Sequence, residues 1–298
     1  MTPINLSPSK VASYENCPRA YLYQYVLRIR NTEESVNLGF GSAIGTTVEK
    51  YILSTVDGKP NDPEQTFLTT WSAFLENNVV TFPAKFTKDD LTDTGMSLAR
   101  QLAGAWEDTG YMACVDREGV PVLERNLSVN VGNGVTLNTK LDILVMNLDG
   151  EVGVVDAKSP AQESSELFVQ NAEQLTAYQV AVDAHAEALG IPKVDFVSYW
   201  EMLKKRMPGP KSPKTYLGPV ICQPKPVQAR DTADVEDYVG KLHAVAESIR
   251  AKRFHKSPRM AFNTPCNMCS FSKLCVEKNQ TGFVIPQGVD TKALLKAA

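Results

Sequence analysis

Val135-Thr-Leu-Asn-Thr-Lys140-Leu-Asp142-Ile-Leu-Val-Met146, followed after Asn-Leu148-Asp149-Gly150-Glu by Val152-Gly-Val-Val-Asp156-Ala157-Lys158, is the stretch on which the fold turns. Both runs are rich in β-branched residues, and Leu148-Asp149-Gly150 separates them with turn chemistry. A third run, 123–131, precedes them across Gly132-Asn-Gly134, so the segment reads as a meander of hairpins. Residues two apart on a strand share a face, which places Asp156 and Lys158 together. The turn decides whether Asp142 joins them. A three-residue loop with Gly150 in the left-handed conformation sets Asp142 opposite Asp156, whereas a two-residue Asp-Gly loop shifts the register by one and turns it away.

Two carboxylates with a lysine alongside suit a hard divalent cation. Mg2+ or Mn2+ prefers oxygen ligands, keeps several waters, activates one of them and binds a phosphate being cut. The lysine orients the nucleophile or neutralises developing charge. Taken alone, Asp-x-Lys on a strand also describes a surface ion pair. Further along, Gln174-Leu-Thr-Ala-Tyr178 places two polar groups four apart on one helical face. In order and spacing, Asp142, then Val-Val-Asp156-Ala-Lys158, then Gln174-x3-Tyr178 resembles motifs II and III and the Gln-x3-Tyr motif of RecB-like enzymes in the PD-(D/E)XK nuclease superfamily. The resemblance implies cleavage of DNA phosphodiesters. Its metal would be held by Asp142, Asp156 and the carbonyl of Ala157, with Lys158 catalytic and with Gln174 and Tyr178 meeting the DNA backbone or bracing Lys158. RecB-like enzymes place a metal-binding His after a Gly-x3 step on an early helix, and Gly45-Thr-Thr-Val-Glu49 carries Glu49 in that slot. The alternative register, Gly41-Ser-Ala-Ile-Gly45, leaves no ligand there, so Glu49 is the expected third carboxylate. The string Gly39-x-Gly41-x3-Gly45 lacks dinucleotide-loop spacing and no β-rich run precedes it.

Cysteines supply the second signal. Cys266-Asn-Met-Cys269 and Cys275 lie near one end of the sequence and Cys17 near the other, within Ser7-Pro-Ser-Lys-Val-Ala-Ser-Tyr-Glu-Asn-Cys17-Pro-Arg-Ala-Tyr21. This split pattern resembles RecB-like nucleases of the AddB and CRISPR-associated exonuclease type, and so implies a [4Fe-4S] cluster on Cys17, Cys266, Cys269 and Cys275. A four-cysteine zinc site is the competing reading, since Cys-x2-Cys is also a zinc spacing. Cys114 and Cys222 have no partner at ligand spacing and read as small core residues.

The chain has 298 residues, 43% hydrophobic and 22% charged, with a net charge of -3. That length and composition suit one large domain, and the charge argues against general affinity for nucleic acid without excluding a local basic groove. Met1 to Pro8 is polar and no long apolar run follows, which predicts a cytoplasmic chain with reduced thiols and no membrane partner. Helices are expected at 39–53, 63–77, 87–109, 165–189 and 231–252, with shorter ones around Cys17, and strands at 194–203 and 216–222. Basic stretches at 204–214 and from Arg250 to Arg259 read as solvated charge runs. His185, His243 and His255 have no partner motif and are expected to face solvent or to cap.

The fold class expected is α/β: a restriction-endonuclease-like core with a mixed central sheet flanked by helices, a helical N-terminal third, and an iron–sulfur staple joining the N- and C-terminal segments. Its organisation would be a single RecB-like nuclease domain over 1–298, with cluster segments 1–30 and 254–280 and a nuclease core 39–203 carrying a helical insertion 60–110. The function implied is a deoxyribonuclease, an exonuclease acting on DNA ends or single strands in recombination, repair, CRISPR adaptation or phage DNA metabolism. No P-loop motif occurs, so the chain acts unaided or with a helicase or recombination partner protein. The alternative is a non-catalytic iron–sulfur module that binds DNA.

Overall fold

A computed structural model describes residues 2–257 and 264–290. Arg259 and residues 258–263 of the expected cysteine segment lie outside them. The chain divides into two compact units, one made of Glu34–Val129 with Thr139–Val235, the other of the described parts of Met1–Glu33, Asn130–Asn138 and Glu236–Ala298.

The larger unit is a mixed sheet with helices on both faces. Val135–Met146 and Val152–Lys158 pair antiparallel, from Ile143↔Val155 to Met146↔Val152, the register of the three-residue loop. Gly150 sits at φ +83, where a side chain would be strained. Val152–Lys158 then pairs parallel with Phe196–Leu203, and Val220–Ile221 and Val227–Gln228 add antiparallel edges. Sheet alternation divides the apolar residues between two clusters. Ile143, Val145 and Val155 pack with Phe40, Phe67, Trp71 and Leu98 of the helices Val36–Asp57, Pro63–Asn77 and Lys88–Thr109. Leu144 and Val154 pack with Leu175, Tyr178 and Val182 of the helix Glu173–Leu189. Both faces are covered, as a strand pair with near-continuous apolar runs requires. Each fully buried large side chain contributes about 1.5–3 kcal/mol relative to exposure, so packing more than intrinsic propensity holds the helices. Gly39 has a packing role: a Cβ there would stand 2.0 Å from the Phe74 ring.

Two expectations need correction here. The helix expected over 165–189 is two helices, Glu166–Gln170 and Glu173–Leu189. Asn171 breaks it, its side-chain amide and its backbone N–H both turning back to the Leu167 carbonyl while Ala172 becomes extended. The 204–214 stretch is also more than a solvated run, because Lys204 donates to Asn37 at 2.6 Å and Arg206 to Asp90 at 3.1 Å.

The smaller unit brings together segments from both ends of the sequence. Ser7 caps the helix Pro8–Asn16, which leads through Cys17 into Pro18–Tyr21 and a π-helical turn, Leu22–Val26. Tyr14 Oη donates to the Arg253 carbonyl at 2.6 Å, Arg19 N–H to that of His255 at 3.0 Å, and Phe283–Val284 pairs with Arg30–Asn31. His243 does more than face solvent: its Nε2–H donates to the Val131 carbonyl at 2.9 Å and its Nδ1 accepts from Asn133 at 3.2 Å, bracing the Gly132–Gly134 turn. Ile4–Leu6, which carries no strand pattern, pairs parallel with Val135–Leu137. No helix among the described residues is long and apolar enough to cross a membrane.

Candidate active site and cysteine cavity

Five of the residues singled out above meet at one place in the larger unit. Asp156 is 0% exposed; its Oδ1 accepts from Gln174 Nε2 at 3.1 Å. Its Oδ2 pairs with the Lys158 ammonium 2.5 Å away. Asp142 Oδ2 accepts the backbone N–H of Ala157 at 3.2 Å, which ties the two strands together at the site. Gln174 Nε2 also reaches the Tyr178 hydroxyl at 2.6 Å, so the helix Glu173–Leu189 presents its polar pair to Asp156 rather than to Lys158. Tyr178 is both a core residue and a member of the polar network.

The electrostatics call for a cation. Burial first, and then the neighbouring charge of Asp156, push the Asp142 carboxyl up to about 8. Burial raises Asp156 as well, with Lys158 opposing it, and burial followed by the two aspartates raises Tyr178. Two desolvated carboxylates side by side, countered by one partly exposed lysine, also suit a hard divalent ion that brings its own waters. Among the described residues no group of three or more His, Cys, Asp or Glu is placed to hold a metal ion. Mg2+ needs fewer, since it is commonly held by one or two carboxylates plus water and substrate phosphate.

Glu49 stands differently. Its carboxyl is half-buried and raised by burial and then by Glu124, while Lys140 and Lys50 lower it. Glu124 also acts on Asp142, making it the acidic neighbour that the two carboxylates share. Glu124 pairs with Lys140 and holds a left-handed backbone, φ +47. Sequence reasoning passed over both. Lys140 was within reach, because it lies two residues before Asp142 on the same strand. Glu124 carries no comparable signal.

A pH prediction follows. In the folded chain Asp142 holds its proton to about 8, against an ordinary value of 3.8, so the folded state binds more protons across that window. The stability this contributes is complete below the lower value and is lost as pH rises through the upper one. Melting in EDTA is expected to weaken with rising pH, and Asp142→Asn to flatten the profile. Equal slopes in the two proteins would refute it.

In the smaller unit Cys17, Cys266, Cys269 and Cys275 line one cavity of about 120 Å³ with Arg19, Tyr23 and Lys256. The Tyr23 hydroxyl and Arg19 Nε are buried and meet no hydrogen-bond geometry among the described residues. Cys275 and Arg19 nevertheless lie close enough to act on the Tyr23 hydroxyl, which burial and then Cys275 push up to about 12. Cys114, by contrast, is buried, its thiol pushed up to about 11 by burial alone.

A mixed sheet with helices on both faces thus carries two buried aspartates beside a lysine, a donor set that suits phosphodiester chemistry assisted by a hard cation. The family model of the PD-(D/E)XK nuclease superfamily matches residues 5–276, and the chain belongs to that superfamily. No curated protein matches. A solved structure described as "Crystal structure of SSO0001" is similar at 14% identity with a TM-score of 0.34, covering 92% of this chain and 87% of that one, too distant to bear on fold or activity.

Proposed function

We propose that this nuclease is a RecB-like, metal-dependent deoxyribonuclease that works on DNA ends or single strands and carries a [4Fe-4S] cluster. The observation that supports the reading most is the connected set Asp142, Asp156, Lys158, Gln174 and Tyr178, with the buried Asp156 carboxylate held by Gln174 on one oxygen and by the Lys158 ammonium on the other.

Asp142, Asp156 and the Ala157 carbonyl would hold Mg2+ or Mn2+, with Glu49 contributing from its helix. When bound, the ion supplies a Lewis acid for the phosphate and an acidified water. Lys158, 38% exposed at its side chain, is placed to orient the attacking water or to meet charge on the scissile phosphate. Gln174 holds Asp156 through Oδ1, while Oδ2 faces Lys158. Buried Tyr178 holds Gln174 in turn.

Cys17, Cys266, Cys269 and Cys275 would hold the cluster. Two features are in keeping with it: four thiols line one cavity, and the buried donors Tyr23 Oη and Arg19 Nε lie at its wall, Tyr23 beside Cys275. A cluster's sulfides and thiolates accept such hydrogen bonds. Its role is that of a staple between segments far apart in sequence. The whole chain would then form one nuclease domain serving recombination, repair, CRISPR adaptation or phage DNA metabolism, alone or with a helicase or recombination partner.

End-labelled single- and double-stranded DNA offered to anaerobically purified protein tests the activity. Cleavage that needs Mg2+ or Mn2+ and stops in EDTA is expected; binding without cleavage under either cation supports the adaptor reading instead. Glu49→Ala is expected to raise the cation concentration needed, while Glu49→His keeps activity with preference shifted toward Mn2+, which suits imidazole better. Lys50→Ala, at an exposed neighbour, should change little. Wild-type behaviour of Glu49→Ala at limiting metal removes Glu49 from the ligand set.

A further inference from the structure

We propose that Phe168 is a substrate-positioning residue that stacks on an unpaired nucleobase next to Lys158, seating a single-stranded segment of DNA over the site. This rests on the nuclease reading above and adds what selects the substrate. The short helix Glu166–Gln170 is held firmly: Ser165 Oγ accepts the Phe168 N–H at 3.2 Å, Val169 is 2% exposed, and Arg230 Nη2 donates to the Val169 carbonyl at 2.8 Å. With Val169 pinned inward, its neighbours Leu167 and Phe168 remain 68% and 60% exposed. The ring is therefore presented to solvent by a firmly held segment.

Three contacts connect that ring to the proposed chemistry. The Phe168 ring lies 6.1 Å from that of Tyr199, tilted by 36°. Tyr199 is buried, and Lys158 Nζ lies 6.0 Å from its ring centroid. Lys158 in turn touches Asp156. Phe168 therefore stands one ring away from the lysine that would meet the scissile phosphate. Phenylalanine offers no hydrogen bond, so what it can hold on a nucleic acid is a base face, which every unpaired base exposes and an internal base pair does not. Two side chains are far too small a patch for a stable protein interface. Stacking of one base on one aromatic ring tolerates any sequence and changes affinity by roughly 5- to 150-fold.

The test uses the full chain and single-stranded oligonucleotides in which an abasic site is moved across the positions around the cut. Wild type is expected to slow sharply when the abasic site falls at one position. Phe168→Ala should be slower on intact DNA by roughly 5- to 150-fold, with unchanged melting, and should no longer respond to the abasic site. Phe168→Trp should restore both. Rates for Phe168→Ala equal to wild type, or an equal abasic penalty in the two proteins, would overturn the proposal. The same oligonucleotides carrying 2-aminopurine, bound in Ca2+, give a reading independent of cleavage. Quenching by wild type that Phe168→Ala loses supports stacking, and no difference overturns it. Failure of wild type to cut any strand with Mg2+ or Mn2+ removes the nuclease reading, while fluorescence still decides stacking.

Discussion

Asp156→Ala is expected to lower metal-dependent cleavage by roughly 10³-fold or more, with the fold intact, and Lys158→Ala to do the same. Asp156 is wholly buried, with one oxygen held by Gln174 and the other paired with Lys158. On the proposed mechanism, removing it would take away an anionic ligand and also the group that pairs with the lysine. The double variant should lose little beyond either single one, because groups that serve one transition state fail together. Strictly multiplicative losses would indicate two independent contributions. Stability should respond oppositely: without metal, deleting a buried and repelled carboxylate relieves a penalty, so Asp156→Ala is expected to melt no lower than wild type in EDTA. A marked drop in melting would make Asp156 structural.

The second large effect concerns the cysteines. Anaerobically purified protein is expected to be brown and to hold iron and acid-labile sulfide, and Cys17→Ala or Cys275→Ala to lose both. Each loss should also lower stability by several kcal/mol, roughly 5–10 °C in melting, because ligation would close a loop over most of the sequence. Tyr14 to Arg253 and Arg19 to His255 already join the same segments, so the smaller unit should loosen rather than come apart. Cys222→Ala, outside the cavity, is the control and should keep the colour. Colourless protein with one tightly held zinc would replace the cluster by a zinc site. Unchanged melting in a colourless Cys275→Ala variant would remove the staple role.

Much of the arrangement was legible in order along the chain. β-branched runs and Leu148-Asp149-Gly150 announce a hairpin between the Asp142 and Asp156 strands, because strand and turn preferences are local properties, while the register that sets the two aspartates opposite each other was decided by the folded structure. Ser7 and Thr87 start their helices by capping them, another local signal. Spacing alone also made Gln174 and Tyr178 neighbours on one helical face. What spacing could not reveal is which aspartate that pair would meet.

Tertiary structure decided the rest, because it depends on groups distant in sequence. The break at Asn171 follows from one side chain capturing a carbonyl that an apolar pattern counts as helical. Ile4–Leu6 becomes a strand only through its partner, Val135–Leu137. The charges around Glu49 come from Glu124 and Lys140, residues of other elements, and no motif on its own helix announces them. Sequence by itself thus determined the types and order of the chemical groups: two aspartates and a lysine on paired strands, four cysteines at two ends. Burial of Asp156, the gathering of four thiols around one cavity and the exposure of Phe168 beside Tyr199 were set by packing, since only packing decides which polar groups lose water and which apolar ones keep it.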